Sequence, residues 1–134
     1  RLQLRSGRKA ARVLDDTYNA NPVSLGAALG VLESFPGRRW LVLGDMGELG
    51  PMGPELHARA GASARQAGVE RLFALGALSQ FAVQAFGAGA GHFANCEYLV
   101  AELRPALTAY VTVLVKGSRA MAMERVVAAI LAEA

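Results

Sequence analysis

Trp40-Leu41-Val42-Leu43-Gly44-Asp45-Met46-Gly47-Glu48-Leu49-Gly50 passes directly from a continuous apolar run into a glycine-rich turn. The run Trp40–Leu43 lacks polar alternation, the mark of a strand covered on both faces. The glycine-rich segment extends to Gly53, a helix is expected from about Pro54 to Ala67, and Gly68 ends it. Leu72-Phe73-Ala74-Leu75 then supplies a second buried strand. Strand, turn, helix and strand in this order make a parallel crossover unit.

The same rhythm extends in both directions. Upstream, residues 1–5 and 11–15 alternate about a Ser6-Gly7 turn and predict a β-hairpin. Asn21 caps a helix that starts with Pro22, whose apolar face is Leu25, Ala28, Leu29 and Leu32 until Pro36-Gly37 stops it. Downstream, Leu78, Phe81, Ala82, Ala85 and Phe86 form one helical face, and a weak strand is expected near His92-Phe93-Ala94. A helix capped by Asn95 carries Leu99, Leu103 and Leu107. Tyr110–Val115 is the strongest strand, and Met123, Val126, Val127, Ile130 and Leu131 face inward from the last helix. After the hairpin, helix and strand alternate four times and a helix closes the chain. The predicted fold is α/β: a Rossmann-like, doubly wound, mostly parallel sheet with an N-terminal antiparallel β-hairpin.

Composition narrows the function classes. The chain has 134 residues, enough for one domain with a real core. Its net charge of +3 is mild, and five of its basic residues (Arg1, Arg5, Arg8, Lys9, Arg12) alternate with Leu2, Leu4 and Val13 without aromatics. That pattern is a solvated hairpin face, and a nucleic-acid partner is not expected. No apolar stretch is long enough to span a bilayer, and no signal segment opens the chain. The single cysteine, Cys96, is compatible with a reducing, cytoplasmic setting. His92 and Cys96 lack partners at ligand spacing, so no metal is assigned. A start at Arg1, inside a strand, suggests a domain excised from a longer polypeptide.

Three loops follow the carboxyl ends of buried strands, where ligands of open α/β sheets bind. In Asp15-Asp16-Thr17-Tyr18-Asn19-Ala20-Asn21-Pro22, a carboxylate can accept both hydroxyls of a ribose, with Tyr18 and Asn19 against a base. Asp15, Asn19 and Asn21 can equally cap the turn and helix. In Gly44–Gly50, Asp45 and Glu48 can hold an ammonium group, or stand solvated on a flexible loop; no Gly-Lys-Ser/Thr follows, so this is not a P-loop. In Lys116-Gly117-Ser118-Arg119, two cations beside a helix N-terminus suit an anion, although capping alone is a second reading. Lys116 is one of only two lysines among fourteen basic residues, which weakens a general basic-surface explanation. His57, on the helix after the second loop, can reach the cleft or serve as a structural histidine.

These loops, in this order, resemble the C-terminal domain of the Mur ligases. The resemblance is carried by Asp15–Pro22, by Val42-Leu43-Gly44-Asp45-Met46-Gly47-Glu48-Leu49-Gly50 with His57, and by Val115-Lys116-Gly117-Ser118-Arg119 with Met121 and Glu124. It covers essentially the whole chain. The Tyr18–Pro22 and Gly44–Gly50 forms resemble most the member that joins D-alanyl-D-alanine to UDP-N-acetylmuramoyl-tripeptide. Gly47, Pro51, Gly53 and Pro54 make the second loop richer in turn residues than the family pattern.

The resemblance implies an ATP-dependent, amide-forming ligase of three domains working through an acyl phosphate. The N-terminal domain and the central P-loop domain, with the magnesium ligands, would lie outside this chain, which alone is expected to be inactive. It implies Asp16 at the ribose hydroxyls, Tyr18, Asn19 and Asn21 on the nucleoside, and Arg1 reaching the ATP phosphates. Charge complementarity then gives D-alanyl-D-alanine its site: Lys116, Gly117, Ser118 and Arg119 at its carboxylate, and Asp45 or Glu48 at its amine, with His57 near. A folylpolyglutamate synthase-like ligase of the same superfamily is a second reading, and a stand-alone flavodoxin-like binding module a third.

Overall fold

The computed structural model describes residues 2–133. Six strands form one sheet in the order β1-β2-β6-β3-β4-β5. Here β1 is Gln3–Ser6, β2 Arg12–Asp16, β3 Arg38–Gly44, β4 Arg71–Leu75, β5 Ala90–Phe93 and β6 Val111–Lys116. The helices are α1 Pro22–Glu33, α2 Gly53–Gln66, α3 Ser79–Phe86, α4 Cys96–Ala106 and α5 Glu124–Ile130. Only β1 runs antiparallel, against β2; the remaining pairs are parallel. The expected doubly wound sheet with its terminal hairpin is therefore the observed fold. None of the described helices is long and apolar enough to cross a membrane.

The strand period of two sorts the core between two faces. Leu14, Leu41, Leu43, Leu72 and Leu114 point toward α1, α2 and α3, whose Leu25, Leu29, Ala60, Ala64, Ala82 and Phe86 cover them. Val13, Trp40, Val42, Phe73, Val113 and Val115 point the other way, under Leu99 and Leu103 of α4 and Val126, Val127 and Ile130 of α5. The continuous apolar runs thus belong to strands covered on both sides. All six residues of β6 are buried.

Local signals place most boundaries. Asn21 caps α1 as expected: its Oδ1 accepts from the Ser24 N–H at 2.8 Å, and the Ser24 hydroxyl accepts from the Asn21 N–H at 3.0 Å. Asn95 caps α4 through the Tyr98 N–H at 2.8 Å.

Several expectations shift. The hairpin turn is longer than Ser6-Gly7 and contains a 3-10 turn over Arg8–Ala10, with Lys9 and Ala10 at positive φ. Strand β1 is exposed along its length, so Leu4 stands 58% exposed despite its pairing with Leu14. Strand β5 begins at Ala90, and β6 begins at Val111 with Tyr110 outside it. On α3 the inward face is Ser79, Ala82 and Phe86, while Ala85 is exposed. Ser79 is drawn inward because it answers the carboxylate of Asp45.

Close approach explains one helical glycine. A Cβ on Gly61 of α2 would stand 2.1 Å from the Ala82 carbonyl oxygen of α3. Gly61→Ala is expected to cost about 2–3 kcal/mol through forced separation of α2 from α3. On the exposed side of α1, a Cβ on Gly26 would meet nothing within 4 Å. Gly26→Ala should stabilise by roughly 0.5–1 kcal/mol, because only chain entropy and helix propensity change. Urea unfolding of both variants measures the two opposite signs.

Candidate functional site

The position of β6 creates the site. It lies between β2 and β3, whose carboxyl-end loops lead to α1 and α2 on one face, whereas its own loop leads to α5 on the other. Loops that leave in opposite directions from neighbouring strands open a crevice at that edge. The three loops singled out in the sequence meet there. A cleft of about 780 Å³ is lined by Asn19, Ala20 and Asn21 of the first, Gly47, Glu48 and Leu49 of the second, and Ser118, Arg119 and Ala120 of the third. A neighbouring groove of about 410 Å³ shares Asn19 and Asn21 and adds Asp16, Tyr18 and Lys116 over Leu2, Ala27, Ala28 and Val31.

In the first loop the two carboxylates divide. Asp15 accepts from Arg5 at 3.1 Å and from the Thr17 hydroxyl at 2.8 Å, so it stabilises the hairpin and turn. Asp16 faces the groove and accepts from Lys116 Nζ at 2.9 Å. Asn19 uses its side-chain oxygen locally, accepting from the Ala20 N–H at 2.9 Å, and its carbonyl oxygen accepts from Lys116 at 2.9 Å. Asn19 and Asn21 thus cap backbone and line the cavities at once. Tyr18 is 64% exposed, with the Arg119 guanidinium 4.9 Å from its ring centroid.

The second loop is held from beneath. Asp45 does not extend into the cleft: its carboxylate accepts from the Leu78 N–H at 3.1 Å and from the Ser79 N–H and hydroxyl at 2.8 Å each. It therefore secures the start of α3, and Ser79, a partner without a sequence signal, completes the arrangement. Glu48 is exposed in the cleft with φ of 61°, a left-handed conformation that costs a residue with a side chain about 1 kcal/mol or more. His57 is fully buried, its Nε2 accepting from the Met46 N–H at 3.0 Å and its Nδ1 2.7 Å from the Gly53 carbonyl oxygen. It does not line the cleft.

The third loop differs most from expectation. Lys116 is 1% exposed and turned toward Asp16 and Asn19, away from Ser118 and Arg119. A 3-10 turn spans Arg119–Met121 and α5 begins only at Glu124, so no α-helix N-terminus adjoins Lys116–Arg119. The helix-dipole contribution to an anion site is withdrawn on that ground. Arg119 remains as an exposed cation, in the lining of the same cleft as Glu48. Gly117 permits contact beneath the cleft: a Cβ there would stand 2.5 Å from Met123 Cγ and 3.2 Å from Gly44 Cα. The Ser118 N–H donates to the Asp45 carbonyl oxygen at 3.0 Å, joining the second and third loops. Arg1, assigned to a phosphate contact, lies outside the described residues.

Sequence reading missed the groove's apolar floor, Leu2, Ala27, Ala28 and Val31. A signal was available: α1 is apolar nearly all round, which a helix with one buried face does not need.

The model of the family described as Mur ligase, glutamate ligase domain, matches residues 1–119. The UDP-N-acetylmuramoyl-tripeptide–D-alanyl-D-alanine ligase of Escherichia coli (strain K12) is 43% identical over 120 residues, covering 88% of this chain and 26% of the relative. Among solved structures, the MurF ligase of Thermotoga maritima in complex with ADP superimposes with a TM-score of 0.83 at 25% identity, over 95% of this chain and 29% of that one. MurF of Acinetobacter baumannii gives 0.86 at 29% identity, over 96% and 29%. The chain thus spans between a quarter and a third of the length of these relatives. Sequence match, superposition and the three strand-end loops agree: the chain belongs to the Mur ligase family, through its glutamate ligase domain.

Proposed function

We propose that this domain is the C-terminal part of an ATP-dependent ligase that joins D-alanyl-D-alanine to UDP-N-acetylmuramoyl-tripeptide in the cytoplasm, during peptidoglycan precursor synthesis. The observation that carries the reading is the pairing of two adjoining cavities at one sheet edge. One has an apolar floor with a polar rim; the other has opposite charges in its lining. A nucleoside fits the first, with Asp16 at the ribose and Tyr18, Asn19 and Asn21 around it. ATP bound there would pass its γ-phosphoryl group to a tripeptide carboxylate oxygen as its bond to ADP breaks, giving an acyl phosphate and ADP; magnesium and the P-loop would be supplied by a central domain outside this chain. Arg1 is assigned to the phosphates by family resemblance alone.

A zwitterionic dipeptide fits the second cavity. Arg119 and the Ser118 region answer its carboxylate, and Glu48 orients its amine. The ammonium first gives up a proton; the neutral amine nitrogen then attacks the acyl carbon, forming the C–N bond as the C–O bond to phosphate breaks, and phosphate and a second amine proton leave. Glu48 replaces Asp45 as the favoured amine contact, because three donors already occupy the Asp45 carboxylate. Lys116 is better read as a positioning residue than as a carboxylate ligand: its ammonium holds Asp16 and the Asn19 carbonyl.

Two predictions test this division in the polypeptide that carries the P-loop domain. Arg119→Ala should raise KM for D-alanyl-D-alanine about tenfold or more, by loss of a charge-assisted contact, and leave KM for ATP within about twofold. An unchanged dipeptide KM in an Arg119→Ala, Glu48→Gln double variant would sink the assignment. Lys116→Met should lower stability by about 3 kcal/mol in urea unfolding, since Asp16 loses the partner of a nearly buried ion pair. The same variant should weaken nucleotide binding more than dipeptide binding, measured by equilibrium titration; the reverse order would return Lys116 to the dipeptide site.

A further inference from the structure

We infer that His57 is a positioning residue for the acceptor cleft: a neutral imidazole, braced on the first residue of α2, that pins the second loop at Met46 and so holds Glu48 in the cleft that Arg119 also lines. The role of Glu48 rests on the function proposed above; the pin itself rests on geometry alone.

His57 is fully buried and touches two backbone groups, the Met46 N–H in the loop before its helix and the carbonyl of Gly53, the first residue of α2. A backbone N–H can only donate, so Nε2, 3.0 Å from the Met46 nitrogen, carries no proton. A carbonyl oxygen can only accept, so Nδ1, 2.7 Å from the Gly53 oxygen, carries one. The two contacts therefore select one tautomer of the uncharged ring. A protonated ring would place an N–H against the Met46 N–H.

Met46 and Gly53 bracket residues 47–52, of which Gly47, Glu48 and Leu49 line the cleft. Glu48 sits within that bracket in a left-handed conformation. Such a conformation persists where its surroundings over-determine it. Three anchors do so here. The Met46 side chain is buried in the core beneath α1 and α2, the Ser118 N–H holds the Asp45 carbonyl, and His57 closes the bracket. The link from Asp45 to Ser118 also refers the second loop to the third, which bears Arg119. Loss of the imidazole would free the bracket at Met46 while α2 still holds Gly53, shifting Glu48 relative to Arg119 without removing either. A purely structural residue at this site would be served by leucine; histidine places two polar atoms in the core, one braced on the first residue of α2 and the other used on the loop.

The tautomer is tested first, by nitrogen NMR of the 134-residue chain labelled at histidine. The expected spectrum has His57 Nδ1 protonated and Nε2 bare, with the Met46 amide protected from exchange. A protonated Nε2, or a freely exchanging Met46 amide, overturns the pin. The functional half uses His57→Leu and His57→Gln in the polypeptide with the P-loop domain. Loss of both bonds in His57→Leu should raise KM for D-alanyl-D-alanine about tenfold, with KM for ATP changed less than about twofold. His57→Gln, whose amide can donate and accept, should recover most of that loss. Equal rises in both KM values, or a fall in kcat alone, would overturn the positioning role. Should His57→Leu not fold, His57→Met takes its place with the same expected rise in the dipeptide KM, and the absence of that rise overturns the positioning role. A protein with the expected tautomer and no ligase activity would reject the proposed function and leave the pin standing.

Discussion

The ammonium of Lys116 ends the most deeply buried strand of the sheet, and its charge has to be answered by protein. A cation removed from water is tolerable only with a close counter-charge and satisfied hydrogen bonds. Asp16 and the carbonyl of Asn19 supply them, each at 2.9 Å. Asp16 ends β2, the parallel neighbour of β6, where the register sets it beside Lys116, and Asn19 lies in the loop that follows. The central position of β6 therefore dictates the course of the first loop. That loop in turn forms the rim of one cavity and a wall of the next. Fold and site are joined at this ion pair.

The second constraint is steric. Strands β3 and β6 end in Gly44 and are followed by Gly117, and side chains at either position would collide with Met123 or the facing backbone. Compression at this point allows the second and third loops to start in contact, with Ser118 bonded to Asp45. Glycine there serves packing below the cleft. The charged residues above it, Glu48 and Arg119, are then carried on backbones already referred to each other.

The fold was legible because its signal is redundant. Each apolar run that lacks alternation proved to be a strand covered twice, and each Asn-led junction proved to be a helix cap. The three cleft loops were legible for a related reason, since strand ends in a parallel sheet are the only places where polar groups can gather at one edge. What was not legible is the direction in which each polar side chain turns. Asp45 and Asp16 look alike in sequence, each just beyond an apolar run, yet one secures α3 and the other faces a groove. The choice depends on Ser79 and Lys116, tens of residues away, and on which face each helix takes. Lys116 read as one of two cations beside a helix start, suited to an anion; burial of β6 and the late onset of α5 at Glu124 reverse that reading.

This distribution of roles has a consequence for how the cleft works. The residues best placed to touch a ligand, Tyr18, Glu48 and Arg119, are exposed, and Arg119 is steadied mainly by its stacking on Tyr18. Those that fix the loops, Lys116, His57 and Ser79, are buried and bonded to main chain or to carboxylates. Rigidity is thus built into the backbone of the loops and withheld from the side chains at their tips. An open cleft formed by one domain leaves those tips hydrated until another surface covers them. Charged contacts strengthen when water is excluded. The affinity of Glu48 and Arg119 for a zwitterion should therefore develop mainly on closure, against loops whose positions are already set.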